Sequence, residues 1–541
     1  MNGGNLVDLR LLAEEAWQES REILRTGDGL PVGVWQERVR QVLYKKVDDW
    51  KGKYGLTDRQ AELIQPEALY NNVRDGRLWK LEAWRKKYPE IPYFMYCLRS
   101  AWQENYFSMV GSGDKLTNEE MVMSLISQNV GKYLDRVYLS QMVLADSPFG
   151  SEALSHVYKS DSQGWQYLYE VKEEGKTVVY SYQEMFGEDF NRVISGLREV
   201  ASQLTGIKDG ELVALFMNKL ADLWSNNTHD PDELDKLWDE VLMMDARLGW
   251  LEIEVGNSAT VAGDANKQDV ELLIGIRDKG AETRERVCGL YLEKAKRWRT
   301  FVGESNEIKY SFGVNRLIAA FGVGSFGWTQ AMGGVRMKEY YNVAEQLVGQ
   351  KISILRKVMS IDGDMERSLG EAILGNLERH EVGHSIGDFF LKRKQLPARA
   401  TWANILDEIK SQMVGYLLAV ADEKKAGVLA ELAENSYVLV EEPSSDGSST
   451  EPYNLMARYV WAGLIDAGAL RLDLERSKVI FVDTNDAYEW FEGQAKWILE
   501  NVYKTGCPAS EAREKAESFV KKVKEAGQRE EIKTIVKWLK A

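Results

Sequence analysis

Apolar positions along this 541-residue chain recur mostly at three- and four-residue spacing, the period of a helix with one buried face. Over residues 7–50 the pattern runs through Leu11, Leu12, Trp17, Ile23 and Leu24, and the turn-forming stretch TGDGLP at 26–31 interrupts it. Two helices with a break between them are predicted. After a loop at Gly111–Lys115, the run Thr117-Asn118-Glu119-Glu120 carries the hydroxyl and the carboxylate of a capping box, so another helix is expected to open there. Ile405, Ile409, Met413, Leu417 and Val420 predict a helix within 401–423. The C-terminal EKAESFVKKVKEAGQREEIKTIVKWLKA reads as a pair of amphipathic, mixed-charge helices that pack and are solvated on one face.

Strand patterning is sparse. The segment GWQYLYEVKEEGKTVVYSY at 164–182 alternates aromatic and β-branched residues on either side of an EEGK turn, which predicts a hairpin. SYVLVEE at 436–442 and KVIFVDT at 478–484 are two further strand-like pieces, while SNNTHDPDELD at 225–235 is a polar break. A chain this long exceeds a single hydrophobic core, so more than one lobe is expected. The predicted class is α+β, mainly helical, with a small amount of sheet.

Composition narrows the partners. With 44% hydrophobic and 28% charged residues the chain is of ordinary globular type. A formal net charge of −15 leaves no positive footprint for nucleic acid. No apolar run approaches the length of a membrane span, and the apolar stretch of MNGGNLVDLRLLAEEAWQES is broken by acids, unlike a signal peptide. Three cysteines, Cys97, Cys288 and Cys507, form no CxxC pair and suit a reducing compartment. These features predict a cytoplasmic protein with neither a nucleic-acid nor a membrane partner.

The chemistry concentrates in AILGNLERHEVGHSIGDF at 372–389. His380 and His384, two of only four histidines, stand four residues apart, so on a helix both imidazoles can reach one ion. Glu381 follows the first of them and suits a general base, the logic of H-E-x-x-H zinc hydrolases. A catalytic zinc needs a third protein ligand. Glu408 at the edge of the buried stripe of the 401–423 helix is the leading candidate, with Asp407 its competitor. The other histidines, His156 and His229, lie far upstream.

The pair HEVGHSIGD and LDEIKSQMVGYL resembles the two zinc motifs of the dipeptidyl peptidase III family. YNLMARYVWAGLIDAGALRLD and the residues after it to 505 are similar to that family's C-terminal part, and DARLGWLEIEVGN at 245–257 resembles its substrate-binding strand. The resemblance covers the C-terminal half. It implies two lobes around a wide cleft: an N-terminal lobe over 1–330 with a small β-barrel or sheet, and a mainly helical zinc-bearing lobe over 331–541. It further implies one zinc held by His380, His384 and Glu408, Glu381 as the catalytic base, and Glu252 at the free ammonium of a peptide substrate. The implied activity is release of dipeptides from peptide N-termini. A zinc aminopeptidase or endopeptidase of related fold is the second reading, and a non-catalytic peptide-binding relative the third.

The chain departs from the family pattern at several positions. Asp407, Lys410 and Gln412 replace a glutamate, an arginine and an acid of the second motif, where the last acid orients a zinc histidine. No histidine follows His384, so the family's transition-state histidine has no counterpart; a tyrosine or arginine is left as the oxyanion donor. The spelling Gly322-x-Gly324-x-x-Gly327 matches a dinucleotide fingerprint, but WTQAMGGVRM after it is a poor helix start, and a loop is predicted instead.

Overall fold

The computed structural model describes residues 6–25, 30–62, 64, 88–111, 116–146, 168–173, 176–204, 206–207, 210–230, 233–234, 236–237, 240–241, 244, 251–259, 268–277, 281–304, 311–321, 329–332, 336–361, 363–387, 401–419, 424–441 and 452–541. The chain forms two compact units: Met1–Asp278 with Asn315–Trp328, and Lys279–Val314 with Thr329–Ala541. Residues 279–314, ahead of position 330 in the chain, thus cluster with the second unit. The class is α+β and mainly helical.

In the first unit, α1 (Leu6–Arg25) and α2 (Val32–Tyr54) form as the periodicity predicts. Helices α3 (Glu90–Gly111), α4 (Asn118–Ile126) and α5 (Lys132–Asp146) follow. The predicted capping box opens α4: the Thr117 hydroxyl accepts from Glu120 N, and the Glu120 carboxylate accepts from Thr117 N at 2.9 Å. Trp35, Leu43, Trp50, Tyr93 and Phe94 make up part of the core where α1 to α3 meet. The hairpin is present as β1 (Leu168–Glu173) and β2 (Lys176–Ser181), antiparallel with Glu173 opposite Lys176. It runs into α6 (Tyr182–Gln203), capped by Ser181, and α7 (Gly210–Ser225) packs beside it. Strands β3 (Leu251–Ala259) and β4 (Gln268–Arg277) pair antiparallel, and β4 pairs on its other side with β5 (Ser311–Phe321).

The second unit opens with α8 (Ala281–Val302) and contains an antiparallel hairpin of β6 (Thr329–Met332) and β7 (Arg336–Tyr340). Helices α9 (Tyr341–Val358), α10 (Gly363–His384), α11 (Thr401–Leu417), α12 (Lys424–Glu441) and α13 (Pro452–Asp466) come next. The hairpin of β8 (Leu470–Asp473) and β9 (Lys478–Phe481) precedes α14 (Thr484–Ile498), α15 (Ala509–Gly527) and α16 (Glu530–Lys540). The strand expected around 478–484 and the C-terminal helix pair are therefore both present.

One expectation is overturned. SYVLVEE, expected as a strand, continues α12 to Glu441. Its β-branched and aromatic residues have high strand propensity, but α12 is buried on almost every side, through Val428, Leu432, Tyr437 and Leu439. A helix sunk into a core shows a continuous apolar run, which periodicity alone cannot tell from a buried strand. Gly322, Gly324, Gly327 and His156 lie outside the described residues.

Helices α10 and α11 approach more closely than side chains would allow. A Cβ on Gly383 would lie 2.4 Å from the Ser411 carbonyl oxygen, and one on Gly415 would lie 3.0 Å from the Arg379 backbone. Glycine at both places brings the two helix backbones together, with Val382, Ile409 and Met413 buried around the seam. α8 braces the same pair. Arg284 Nε donates to the fully buried Glu378 at 2.6 Å, and Lys294 Nζ donates to the Leu418 carbonyl at the end of α11 at 3.0 Å.

Candidate metal centre

The C-terminus of α10 is fixed before any ligand is considered. Ser385 N and Ile386 N bond back to Val382 O and Gly383 O, and Gly387 takes the left-handed φ of 68° that ends the helix. The carbonyls left over are met by cations: Lys410 Nζ donates to Ile386 O at 2.9 Å, and Arg299 donates to Ser385 O. Positive charge at this end complements the helix dipole as well as the orphan carbonyls. His384, the last residue of α10, is held in place by these contacts.

Three acceptor atoms converge across the α10–α11 seam. His380 Nε2 lies 3.1 Å from His384 Nε2 and 3.1 Å from Glu408 Oε2, and His384 Nε2 lies 3.7 Å from that same oxygen. His380, His384 and Glu408 also form a group of metal-binding residue types within reach of one ion. In a tetrahedral zinc site with bonds of about 2.0–2.1 Å, neighbouring ligand atoms stand about 3.3 Å apart. The observed triangle brackets that edge, so the residues present fit a zinc ion.

The far side of each ring sets its tautomer. His384 Nδ1 lies 2.8 Å from Asp407 Oδ2, which as a carboxylate only accepts, so Nδ1 carries the proton. His380 Nδ1 lies 2.8 Å from Gln412 Oε1, while the Gln412 amide nitrogen donates onward to Glu431. With both rings neutral, the Nε2 lone pairs thus point into the triangle. This arrangement of outer partners is the one that orients metal-binding histidines.

The charges around the site favour a cation in the triangle. Burial opposes a charged His380, but the Glu408 hydrogen bond and the fields of Glu408, Glu381 and Glu431 outweigh it, pushing His380 up to about 9. Glu408 is held below the usual carboxylate range: burial works against this, and His384 and His380 prevail. Asp407, also opposed by burial, is held well below that range by Lys410, whose Nζ lies 2.9 Å from Oδ1, and by His384. Tyr503 OH donates to Asp407 Oδ1 at 3.3 Å, and burial beside that carboxylate drives its own ionisation well upward.

The structure therefore brings His380, His384 and Glu408 together, sets Asp407 and Gln412 behind the two imidazoles, and leaves half-buried Glu381 next to His380 on α10. Glu252 lies on β3 in the first unit, opposite Gly275 in the strand register. Sequence reasoning missed three contributors. Glu431 is a fully buried acid on α12, and its signal was a lone carboxylate inside the apolar run VLAELA. Tyr453, on α13, is exposed, and its OH donates to Glu408 Oε1 at 3.3 Å. The glycine pair at the helix seam is the third, visible in the sequence only as two small residues.

No family model matches the chain, and no curated protein matches it in sequence. Among solved structures, that of DPP III from Caldithrix abyssi is similar, with a TM-score of 0.53 over 90% of this chain and 93% of that one. Identity is 13%, so the likeness speaks for the fold alone. Among the described residues no helix is long and apolar enough to cross a membrane.

Proposed function

We propose that the chain is a zinc-dependent peptide hydrolase that releases dipeptides from peptide N-termini. The observation that carries this reading is the triangle of His380 Nε2, His384 Nε2 and Glu408 Oε2, three lone pairs at the spacing of zinc ligands. The zinc-motif resemblance and the DPP III-like fold support the peptidase class. When bound, zinc supplies Lewis acidity, polarising a carbonyl and easing deprotonation of water.

The chain's own residues do the rest. Glu381, beside His380 on the same helix, accepts a proton from the attacking water and returns it to the leaving amine. The Tyr453 hydroxyl, which already donates to the Glu408 oxygen outside the triangle, donates to the oxyanion as the tetrahedral centre forms. In this reading Tyr453 takes the part left vacant by the missing late histidine. Glu252 is proposed, on the resemblance alone, to hold the substrate's ammonium group and so fix which bond is cut.

The test is mass spectrometry of short unblocked peptides incubated with zinc-loaded protein, with Glu381→Ala run in parallel. Loss of residues in pairs from the N-terminus, absent in the variant, is the expected result. Single-residue steps or internal cuts would instead indicate an aminopeptidase or endopeptidase. Equal cleavage by the Glu381→Ala protein would remove the mechanism.

A further inference from the structure

The buried acid Glu431 has no part in the mechanism above. It sits on α12 with no exposed surface, and among the described residues the Gln412 amide is its hydrogen-bond donor. Its second oxygen, Oε1, is buried without a hydrogen-bond partner. An ionisable group so placed is expensive to keep in apolar surroundings unless its charge is used. What stands near it is polar: the Gln412 amide and the charge of the buried Arg379.

The geometry around Gln412 shows where the charge is directed. The Gln412 carbonyl oxygen accepts from His380 Nδ1 at 2.8 Å, and the nitrogen of the same amide donates to Glu431 Oε2. The chain His380–Gln412–Glu431 therefore has its donors and acceptors in one direction across three helices. His384 is served differently: a carboxylate, Asp407, touches its Nδ1 directly. A hydrogen bond from the amide nitrogen to a carboxylate polarises the amide, making Oε1 a stronger acceptor for the imidazole proton.

We propose that Glu431 is a positioning residue for His380, supplying through the Gln412 amide the negative charge that Asp407 supplies to His384 by contact. The proposal rests on the zinc reading of the site. Burial pushes Glu431 up to about 7, with Arg379 and Gln412 drawing it back, and a nearby dication adds to Arg379 in favouring the carboxylate. Glu431 stabilises the imidazole as a ligand and holds its ring orientation, and it touches neither substrate nor metal. Second-layer partners of this kind govern metal affinity by factors of about 10–100.

The test uses the full chain and zinc itself, with affinity read by competition against a chromophoric chelator. Glu431→Gln keeps an acceptor for the Gln412 nitrogen and removes the charge; its zinc affinity should fall by about 10–100-fold. Combining Gln412→Glu with Glu431→Gln returns a carboxylate to the chain, one link closer to His380, and should restore wild-type affinity or exceed it. The visible spectrum of the cobalt-substituted protein should shift in Glu431→Gln and return in the double variant. A purely structural Glu431 predicts lower thermal stability with zinc affinity unchanged, and that result overturns the proposal. So does a double variant that binds as weakly as the single one. If Glu431→Gln does not fold, the double variant is read against wild-type protein, and a zinc affinity still about 10–100-fold below wild type overturns the proposal. Wild-type protein that takes up no stoichiometric zinc would overturn the zinc reading, a failure distinct because it appears before any substitution.

Discussion

His380 Nε2 and His384 Nε2 face each other at 3.1 Å, each with its Nδ1 proton already committed to a partner behind the ring. Two imidazole lone pairs at that distance repel unless a cation lies between them, and Glu408 Oε2 adds a third acceptor to the same place. Zinc should therefore stabilise the second unit. At free zinc a thousandfold above its dissociation constant, linkage contributes about 4 kcal/mol. Treatment with a strong chelator should lower the melting temperature of wild-type protein, and re-addition of zinc should restore it. In His384→Ala the chelator should make no difference. A wild-type transition indifferent to both additions would count against a metal at this seam.

Without metal, the cation at the seam is a proton on His380, whose ionisation lies at about 9 instead of the ordinary 6.5. A raised folded-state value means the charged ring stabilises the metal-free fold fully below about 6.5, and that contribution is lost as pH rises through about 9. The metal-free protein should lose stability across this window while the zinc-loaded protein does not. Zinc binding inside the window should also release a proton. Calorimetric titrations in buffers of different ionisation enthalpy measure that release directly, and a buffer-independent binding enthalpy at pH 7.5 would contradict the assignment.

Much of this site was legible because helical spacing is a local property. The four-residue interval of His380 and His384 places both rings on one face whatever surrounds them, and the periodicity of 401–417 puts Glu408 at the border of a buried stripe. What lay beyond the sequence depends on third elements. The run AELAENSYVLVE gives no hint that Glu431 faces Gln412, because its apolar density blurs helix into strand. Tyr453 reaches Glu408 only through the path of α13, 45 residues further along the chain. The roles of Gly383 and Gly415 follow from a helix crossing and from nothing in their immediate neighbours.

Tyr453→Phe removes one hydroxyl and leaves the ring. If that hydroxyl stabilises developing negative charge, kcat should fall by about 10²–10³, the usual effect of losing one oxyanion donor. KM and zinc affinity should change little, since the bond from Tyr453 goes to Glu408 Oε1 and not to the Oε2 that stands beside the two imidazoles. An unchanged kcat would pass the role to another donor. A parallel loss of zinc would mean that Tyr453 acts on Glu408 instead.

The brace from α8 can be tested apart from chemistry. Arg284 is an ion-pair partner of Glu378, which has no exposed surface. Arg284→Met should destabilise the protein by about 3–5 kcal/mol, because it takes a cation away from a carboxylate in a medium of low dielectric constant. Adding Glu378→Leu should recover most of the loss. Urea denaturation of the three proteins decides this, and a double variant no more stable than the single one would indicate that Glu378 is needed for its other contacts.

Gly383 and Gly370 occupy the same helix and predict opposite results for the same substitution. Alanine is the better helix former by about 1 kcal/mol, so an unobstructed glycine-to-alanine change within a helix is stabilising. At Gly370 the new methyl would meet only Val348 Cγ1 at 3.5 Å, an ordinary contact, and Gly370→Ala should raise the urea midpoint. At Gly383 it would meet Ser411 O at 2.4 Å and Ser411 Cα at 2.9 Å, backbone atoms that no rotamer change can move aside. Overpacking of this kind costs about 1–3 kcal/mol, enough to reverse the propensity gain. Relief requires α10 and α11 to separate, and Ser411 is three residues from Glu408 on α11. Gly383→Ala should therefore lose zinc affinity along with stability, while Gly370→Ala keeps the affinity of the wild type. Gly383→Ala with wild-type zinc binding would show that the triangle does not depend on the close crossing of the two helices.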